Sequence, residues 1–470
     1  MSSYISPIPQ EDLIPLCEQI KKNIDVPASY FDRFEVKRGL RNRDGSGVMA
    51  GLTKICSVEG YYMEDGERRP IEGRLHYRGM NVNDLVDGCI AENRFGYEEV
   101  AYLLLFGTLP TAQQLESFKA LLAANRDLPD DFVDDMIMKA PSPNIMNKLS
   151  RSVLSLYSYD PDPDNLSIEN VLGQSIQVLA KLPMIMTYAY QVKRRYYYKK
   201  SMYLHLPKPE HSTAEAILYT TRSNHEFTDE EAKLLDICLM LHAEHGGGNN
   251  SAFAARVLTS SGTDTYAALA ASIGSLKGPR HGGANLKVAE MLKFMEEACT
   301  DITDEGQVAD FLRKVINKEA GDGSGLVYGM GHAVYTLSDP RQKILRREAE
   351  KIAYEKGFGD KLTALQLIEK LTPEIFASEK HNTKKMCANV DLYSGLIYEM
   401  LGIPVDLYTP LFAVARVAGW SAHRMEELVT GNRVIRPAYK NVAHRKDYVP
   451  IEQRVSDYEG NKEYIPFEER

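Results

Sequence analysis

Gly278-Pro-Arg-His-Gly-Gly-Ala-Asn285 is the first of three short stretches that dominate this sequence; the others are Gly329-Met-Gly-His-Ala-Val-Tyr335 and Asn389-Val-Asp-Leu-Tyr-Ser-Gly395. Each sets one ionisable residue among glycines or residues that begin a helix: His281, His332 and Asp391. Glycine and a helix start both let a ligand come close to backbone N–H groups. Two histidines and one carboxylate are sufficient to remove a proton from carbon and to stabilise the charge that develops on oxygen.

The sequence around these three stretches has a mostly helical pattern. Apolar spacing and caps predict helices at residues 12–24, 97–106 and 284–298. Capping boxes open further helices at Thr111 and Thr228, and Thr409-Pro410 is typical of an N-cap followed by proline. Strand signals are confined to two short segments, residues 53–58 and 71–77, around the turn signal Asp65-Gly66. The chain is therefore predicted to be mainly α, with one small β feature near the N-terminus.

Composition excludes several classes of protein. The net charge of −9 gives no electrostatic reason to expect nucleic acid as a partner. The six cysteines form no CxxC pair, which is typical of a reduced cytosolic chain. The N-terminus is polar, and no stretch approaches the roughly 20 apolar residues of a membrane span. We therefore expect a cytoplasmic protein with no membrane and no nucleic-acid partner.

Each of the three stretches also has an explanation that involves no chemistry. His281 could be an incidental residue in a loop between helices, and His332 could lie in an exposed glycine-rich loop. Asp391 has the position of an N-cap before the helical segment 392–401. A general base needs a suitable pKa and a site that excludes water, and the sequence shows neither. The residues alone leave both interpretations open.

His242 and His245 stand three residues apart at a predicted helix end, a spacing with which a zinc site can begin. No further His or Cys cluster lies near them in the sequence, and the HExxH pattern is absent. We therefore expect no metal, and Glu244 is predicted to be a solvated partner of the two histidines.

Three downstream arginines are candidates for binding an anion: Arg341, Arg416 and Arg436. Each alone is uninformative, because an arginine is usually a surface charge. Arg416 is the exception, since it lies in the largely apolar run 411–420 and needs a buried anionic partner or ligand. Three guanidinium groups in one pocket would suit a dicarboxylate, which each can bind in a bidentate manner.

The segment Lys193-Arg-Arg-Tyr-Tyr-Tyr-Lys-Lys200 mixes basic and aromatic residues, a composition that can stack on single-stranded nucleic acid. The run is isolated and the chain is acidic, so a helix end or an oligomer surface is favoured.

The three stretches, in this order and with the arginines downstream, resemble the citrate synthase family over residues 51–437. Members of that family are mainly helical homodimers in which a small domain rotates to close a cleft. The resemblance implies a large domain of residues 1–282 and 401–470, with the oxaloacetate side and the dimer interface. It implies a small mobile domain of residues 283–400, with the CoA side. Closure would exclude water from a reactive intermediate.

The resemblance also implies a role for individual residues. Asp391 matches the base that removes a methyl proton from acetyl-CoA. His281 matches the group that hydrogen-bonds the enolate oxygen, and His332 matches the residue that polarises the ketone of oxaloacetate. The other oxaloacetate ligands that it implies are His242, Arg341, Arg416 and Arg436. The last of these crosses from the partner subunit in the family, so a homodimer is required. The loop that holds the CoA adenine matches Leu326, Gly329 and Gly331.

The implied reaction joins acetyl-CoA, oxaloacetate and water to give citrate and CoA, with no metal and no permanently bound cofactor. Many members have a basic residue for a CoA phosphate shortly after Gly-His-Ala-Val, where this chain has Tyr335 and Thr336, so the phosphate contacts stay unassigned. The nearest alternative is 2-methylcitrate synthase, which uses propionyl-CoA, because one methyl group is worth only about 1–3 kcal/mol in a pocket. The alternatives from other classes are a non-catalytic helical binding protein and a metallohydrolase built on His242 and His245.

Overall fold

The structure is a computed structural model that describes residues 8–23, 26–42, 44–65, 67–381, 385–431, 433–443, 448 and 450–453. The chain forms two compact units, one of residues 1–50 and 436–470 and the other of residues 51–435. The predicted domain boundaries at residues 283 and 400 both fall within the second unit. That division into a large and a small mobile domain stays a prediction.

Among its described residues, the first unit has the α-helices α1 (Gln10–Asn23) and α2 (Ala28–Arg33). The helix predicted at residues 12–24 corresponds to α1, and residue 24 lies outside the described residues. An isolated β-bridge pairs Arg41 with Gly47, and the Lys440 amino group lies 5.7 Å from the centre of the Phe34 ring. No described residue of this unit is buried.

Helices make up most of the second unit. Their bounds are α3 (Val82–Ala91), α4 (Tyr97–Phe106), α5 (Ala112–Ala124), α6 (Ile145–Leu156), α7 (Ile168–Tyr196), α8 (Thr213–Thr221), α9 (Asp229–His242), α10 (Asn250–Ser260), α11 (Thr265–Lys277), α12 (Ala284–Ala298), α13 (Glu305–Ile316), α14 (Pro340–Ile352), α15 (Gly359–Lys380), α16 (Asp391–Met400) and α17 (Tyr408–Thr430). The predicted mainly α fold is confirmed. No described helix combines the length and apolar character that crossing a membrane would require.

One antiparallel sheet precedes the helices of the second unit, in the order β1 (Cys56–Glu64), β2 (Glu67–Tyr77) and β3 (Met80–Asn81). The predicted β feature is therefore confirmed, with longer strands than the sequence indicated. Two glycines let the sheet lie directly against residues 334–338. A Cβ on Gly60 would lie 2.5 Å from the Val334 carbonyl oxygen, and a Cβ on Gly73 would lie 2.1 Å from that of Ser338.

The centre of the second unit is α17, which is buried along most of its length and packs against α4, α7, α9, α10 and α11. A helix that is apolar on most of its circumference belongs in the interior. The predicted N-cap at Thr409 is wrong, because α17 begins one residue earlier. The Thr409 hydroxyl instead donates a hydrogen bond to the Gly282 carbonyl, 3.1 Å away, which ties the start of α17 to the His281 loop.

The basic and aromatic segment 193–200 begins in the last turn of α7. Lys193 Nζ lies 2.6 Å from Asp406 Oδ1, and the Tyr198 hydroxyl lies 2.7 Å from the other oxygen of the same carboxylate. Cations near a helix C-terminus interact favourably with its exposed carbonyl groups. The interpretation of this segment as a helix end is confirmed.

Candidate active site

The stretches around His332 and Asp391 are joined by backbone hydrogen bonds. The Gly331 N–H donates to the Cys387 carbonyl at 2.7 Å, and the Asn389 N–H donates to the Gly329 carbonyl at 2.9 Å. The Asn389 side chain adds a bond from Nδ2 to the Gly331 carbonyl at 2.9 Å. These bonds hold the start of α16 beside the loop that carries His332.

The His281 stretch meets the same place through its helix. α12 begins at Ala284 and packs against α16, where a Cβ on Gly395 would lie 3.6 Å from the Asn285 carbonyl oxygen. All three stretches that the sequence singled out therefore converge, which is the arrangement that their proposed chemistry needs.

The ring of His281 is fixed by Ser251 at the start of α10. The Ser251 backbone N–H donates to His281 Nε2 at 3.3 Å, and the Ser251 hydroxyl lies 2.9 Å from the same nitrogen. A backbone N–H can only donate, so Nε2 accepts and the neutral ring carries its proton on Nδ1. Burial, with a smaller contribution from the charge of Arg416, lowers the pKa of His281 to about 4. At neutral pH His281 is therefore an uncharged donor through Nδ1.

The ring of His332 has the opposite tautomer. Its Nδ1 accepts hydrogen bonds from the backbone N–H groups of Val334 and Tyr335, both at 3.0 Å. The proton of the neutral ring must then be on Nε2, which becomes the donor. The ring also stacks on that of Tyr335, with 4.5 Å between the ring centres. Backbone and stacking together fix the direction in which Nε2–H points.

Arg341 is buried in the first turn of α14 and is held by Asp339. Its Nε and terminal nitrogen lie 3.1 and 2.8 Å from the two carboxylate oxygens. The Asp339 Oδ2 atom also accepts the Val390 backbone N–H at 3.2 Å, immediately before Asp391. Local sequence patterns did not single out Asp339, which begins the Asp339-Pro340-Arg341 run and is the N-cap of α14. This carboxylate aligns the guanidinium group with the start of α16.

Arg416 is buried in α17, and its Nε donates to the His242 carbonyl at 2.5 Å. The buried anionic partner or ligand that the sequence predicted for Arg416 stays a prediction. Burial lowers the pKa of its guanidinium group, and the charge of Glu244 opposes that shift. The prediction that Glu244 is solvated is wrong: its side chain is fully buried and lies 3.0 Å from His423 Nε2. Burial alone would raise the pKa of Glu244, but His423 and Arg416 hold it below its usual value.

His242 and His245 occupy different environments. The His242 ring is fully buried, stacks on Phe412 at 3.6 Å and lies 2.9 Å from the Tyr398 hydroxyl. The residue His245 is half-buried, and the centre of its ring is 5.1 Å from that of His332. The role of His242 as a substrate ligand stays a prediction, while the geometry adds His245 as a second candidate.

His245 lies beside His332 and Tyr335, and its Nε2 is 3.3 Å from the Tyr335 hydroxyl. Burial lowers the pKa of His245 well below the usual range, and the positively charged Arg341 and Arg416 lower it further. Local sequence spacing indicated His245 only as a possible metal ligand. Within the described residues, no group of three or more His, Cys, Asp or Glu side chains is arranged to hold a metal ion.

Asp391 is the first residue of α16, while Val390 occupies the N-cap position. The N-cap explanation of Asp391 is therefore wrong by one residue. Burial raises the pKa of Asp391 to about 6; Arg341 and Arg416 oppose this shift and Asp339 adds to it. A partly buried carboxylate with a pKa near neutrality is suited to accept a proton from a weak carbon acid.

Four residues with predicted ligand roles remain: Leu326, Gly329, Gly331 and Arg436. Arg436 is exposed and belongs to the first unit. In the loop predicted to hold CoA, Leu326 is exposed, and Gly329 and Gly331 have positive φ angles of 82° and 86°. The roles assigned to these four residues stay predictions.

Comparison with known proteins gives consistent results. The family described as "Citrate synthase, C-terminal domain" matches residues 43–438. Citrate synthase of Haloferax volcanii is 33% identical, with 89% of this chain and 99% of that protein aligned. "2-Methylcitrate synthase 1" of Corynebacterium glutamicum is 32% identical, with the same two shares aligned. The solved ternary complex of Thermoplasma acidophilum citrate synthase with carboxymethyl coenzyme A and oxaloacetate superposes with a TM-score of 0.71. It is 27% identical and covers 89% of this chain and 99% of that one.

Proposed function

Since the chain belongs to the citrate synthase family, we propose that it condenses acetyl-CoA with oxaloacetate and water to give citrate and CoA. The observation that carries this proposal is that the stretches of His281, His332 and Asp391 meet in one part of the second unit. There His245 lies beside His332, and Asp339 joins the buried Arg341 to the backbone just before Asp391. Because the Thermoplasma relative was solved with oxaloacetate and a coenzyme A analogue, this site is matched to the same two ligands. No permanently bound cofactor takes part.

In the first step, the Asp391 carboxylate removes a methyl proton from acetyl-CoA. A thioester methyl group is a weak carbon acid, so the charge that develops on the thioester oxygen must be stabilised. His281 is the group proposed to do this, through Nδ1–H. Removing one such donor typically costs about 2.7–4 kcal/mol of transition-state stabilisation. An uncharged imidazole can donate a hydrogen bond to this oxygen. It is too weak an acid to transfer its proton to the thioester before the reaction begins.

In the second step, the enolate carbon attacks the ketone carbon of oxaloacetate, and the ketone oxygen takes up a proton. His332, which donates through Nε2, is the proposed proton donor to that oxygen. The product of this step is citryl-CoA. Water then attacks the thioester carbonyl, the carbon–sulfur bond breaks, and CoA leaves as the thiol.

The keto acid is proposed to bind through Arg341 and Arg416, with His245 or His242 as the imidazole ligand. His245 is favoured because its ring lies beside that of His332, with 5.1 Å between the ring centres. Arg436 is proposed to reach the site of the partner subunit in a homodimer. Residues 283–400 are proposed to close over the substrates, with the loop from Leu326 to Gly331 against the CoA adenine.

Acetyl-CoA, rather than propionyl-CoA, is the acyl donor that we propose for this protein. The relative named 2-methylcitrate synthase is nearly as similar to this chain as a relative named citrate synthase, with 32% against 33% identity. Propionyl-CoA is therefore the second candidate substrate. The test is a thiol-release assay with oxaloacetate and a panel of acyl-CoAs, comparing kcat/KM. We expect acetyl-CoA to be preferred; a clear preference for propionyl-CoA would reverse the order, and no release with either would favour a non-catalytic binding protein.

A further inference from the structure

α16 carries more than the Asp391 carboxylate. Tyr398 lies seven residues further along the same helix, two turns away and on the same face. Its ring is fully buried, and its hydroxyl lies 2.9 Å from His242 Nε2 at the end of α9. The hydrogen bonds described near the start of α16 reach Gly331 and Asp339 instead. The Tyr398 bond therefore connects the helix of the proposed base to a different part of the fold.

His242 continues the connection to the keto-acid side. Its carbonyl oxygen accepts the hydrogen bond of Arg416 Nε, and its ring stacks on Phe412. The Arg416 guanidinium lies 5.9 Å from the centre of the same Phe412 ring. A continuous path of contacts therefore leads from α16 through His242 to the guanidinium group proposed to bind oxaloacetate.

The polar atoms on this path are shielded from water. His242 Nδ1 is buried and has no hydrogen-bond partner within the described part of the chain. Among the described residues, the Tyr398 hydroxyl is thus the hydrogen-bond partner of the His242 ring. Without this bond, neither ring nitrogen would have a described polar partner. An unpaired buried polar group is costly, so the ring and the helix against it would be expected to move.

We propose that Tyr398 is a positioning residue: its hydrogen bond to His242 fixes α16, and with it the Asp391 carboxylate, at a set distance from Arg416. This inference rests on the proposed function, because it assigns Tyr398 to the placement of the proposed base. Tyr398 does not need to touch either substrate. A shift of about 1 Å in a reacting group can cost about a hundredfold in rate.

The test is Tyr398→Phe, which removes only the hydroxyl. Tyr408→Phe is the matched control, because the Tyr408 ring is also buried and lies 5.2 Å from the Tyr398 ring, while no hydrogen bond is described for its hydroxyl. We expect Tyr398→Phe to lower kcat at least tenfold and to leave the oxaloacetate Kd, measured by calorimetry, within about twofold. The reason for this split is that the His242 carbonyl still holds Arg416. Tyr408→Phe should keep kcat within about twofold.

A change in the pH profile separates positioning from a general loss of structure. Without the hydrogen bond to His242, α16 should let water reach Asp391, which would lower the pKa of its carboxyl group. The acid limb of the kcat/KM profile should therefore move to lower pH in Tyr398→Phe and stay in place in Tyr408→Phe. His242→Phe, which keeps the ring stacked on Phe412, should show the same loss of kcat. The double variant should lose no more than either single one, because both remove one bond.

Two results would overturn the inference alone: an active wild type with an unchanged kcat in Tyr398→Phe, or equal losses in Tyr398→Phe and Tyr408→Phe. If Tyr398→Phe fails to fold, His242→Phe decides the matter by the kcat and pH readouts together with the oxaloacetate Kd. An unchanged Kd supports positioning, whereas a weakened Kd marks His242 as a substrate ligand and overturns the inference. A wild-type protein that releases no thiol with any acyl-CoA would instead contradict the proposed function.

Discussion

At the scale of single residues, the site depends on groups whose pKa values are shifted by burial. Asp391 is the clearest example, since its pKa is raised to about 6 while that of His281 is lowered to about 4. A carboxylate that leaves water is made more basic, and an imidazole that leaves water is made less basic. The same burial therefore prepares one group to accept a proton and the other to donate a hydrogen bond without being charged.

The raised pKa of Asp391 predicts how the activity depends on pH. The base must be ionised, so kcat/KM for acetyl-CoA should fall about tenfold per pH unit below about pH 6 and level off above it. The measurement is a profile of kcat/KM from about pH 4.5 to about pH 8. A midpoint near pH 4 would contradict the account, because it would belong to a carboxylate that remains solvated.

The same shift predicts a gain of stability when the carboxylate is removed. The folded protein holds the Asp391 proton up to about pH 6, whereas the unfolded chain releases it near pH 3.9. Wild-type stability therefore falls as the pH rises through this window. Asp391→Asn should raise the Tm near pH 8 and raise it less near pH 4. Thermal unfolding at both pH values tests this, and a lower Tm near pH 8 would speak against it.

Arg416 should matter for the keto acid far more than for the thioester. Arg416→Leu removes a buried guanidinium group, and truncating one partner of a buried charged pair typically costs about 2–5 kcal/mol. We expect that loss in the affinity for oxaloacetate, measured by calorimetry, with little change in the affinity for CoA. Equal losses for both ligands would argue against the proposed role.

A buried arginine two turns further along α17 supplies the control for this substitution. Arg424 donates to the Thr265 and Thr259 hydroxyls at 3.2 and 3.1 Å. Arg424→Leu should lower the free energy of unfolding without a specific loss of oxaloacetate affinity. If both variants weakened oxaloacetate binding equally, the effect of Arg416→Leu would be one of packing.

The sequence could identify His281, His332 and Asp391 because their neighbours are glycines and helix starts. It could not identify Glu244 as buried, because the His423 side chain that pairs with it comes from another helix, nearly 180 residues away. His245 was underestimated for the same kind of reason. In the sequence His245 stands close to His242, so local spacing treats the two alike. Only the packing of α9 against α16 and α17 shows that the His242 ring is buried while the His245 ring lies beside His332.

At the scale of elements, the sheet of β1 and β2 supports the loop between His332 and Arg341. The Gly73 N–H donates to the Ser338 hydroxyl at 3.1 Å, and Ser338 also bonds to Glu72. The backbone of residues 334–338 can approach the strands this closely only because Gly60 and Gly73 have no side chain. The small β feature therefore positions two residues of the proposed site.

Gly73→Ala tests this support. The added Cβ would lie 2.1 Å from the Ser338 carbonyl oxygen, so the loop must move, at a cost of about 1–3 kcal/mol in stability. We expect kcat to fall more than tenfold in a thiol-release assay, since His332 moves with the loop. Gly88→Ala in α3 is the control, because a Cβ there would meet nothing within 4 Å. An unchanged kcat in Gly73→Ala would show that the sheet does not position His332.

Local rules predicted some elements well and others poorly. The bounds of α4 and α12 agree with the prediction. Both helices show apolar spacing, and α4 ends where Gly107 takes the left-handed conformation. Thr409 failed as an N-cap because its hydroxyl found a partner in another loop, the Gly282 carbonyl. The strands were predicted too short, since charged residues such as Arg68 and Arg69 extend β2 beyond the half that is buried.

At the scale of the whole molecule, the proposal includes a homodimer in which Arg436 completes the site of its partner. Each C2 dimer would then contain two sites, each built from both chains. Asp391→Ala and Arg436→Ala are each expected to be inactive alone. When equal amounts are mixed and allowed to exchange subunits, each mixed dimer should contain one intact site. Activity should therefore return to about a quarter of the wild-type value.

Mixing Asp391→Ala with His281→Ala is the matched control. Both residues are proposed to serve the site of their own chain, so every site in a mixed dimer would lack one of them and no activity should return. Recovery in this control, or no recovery in the Arg436 mixture, would contradict the shared site. The first unit, which contains Arg436, has no buried described residue, and neither its role nor the proposed motion of residues 283–400 could be predicted from local sequence patterns.

The measurement that tests the central claim most directly is thiol release from acetyl-CoA in the presence of oxaloacetate, by the wild type and by Asp391→Ala. If the imidazoles, the carboxylate and the guanidinium groups act on one pair of substrates, the wild type should release thiol from acetyl-CoA only when oxaloacetate is present. Their joint action also predicts almost complete loss in a variant that remains folded. A wild type that releases no thiol with any acyl-CoA, or an Asp391→Ala variant with near-normal turnover, would contradict it.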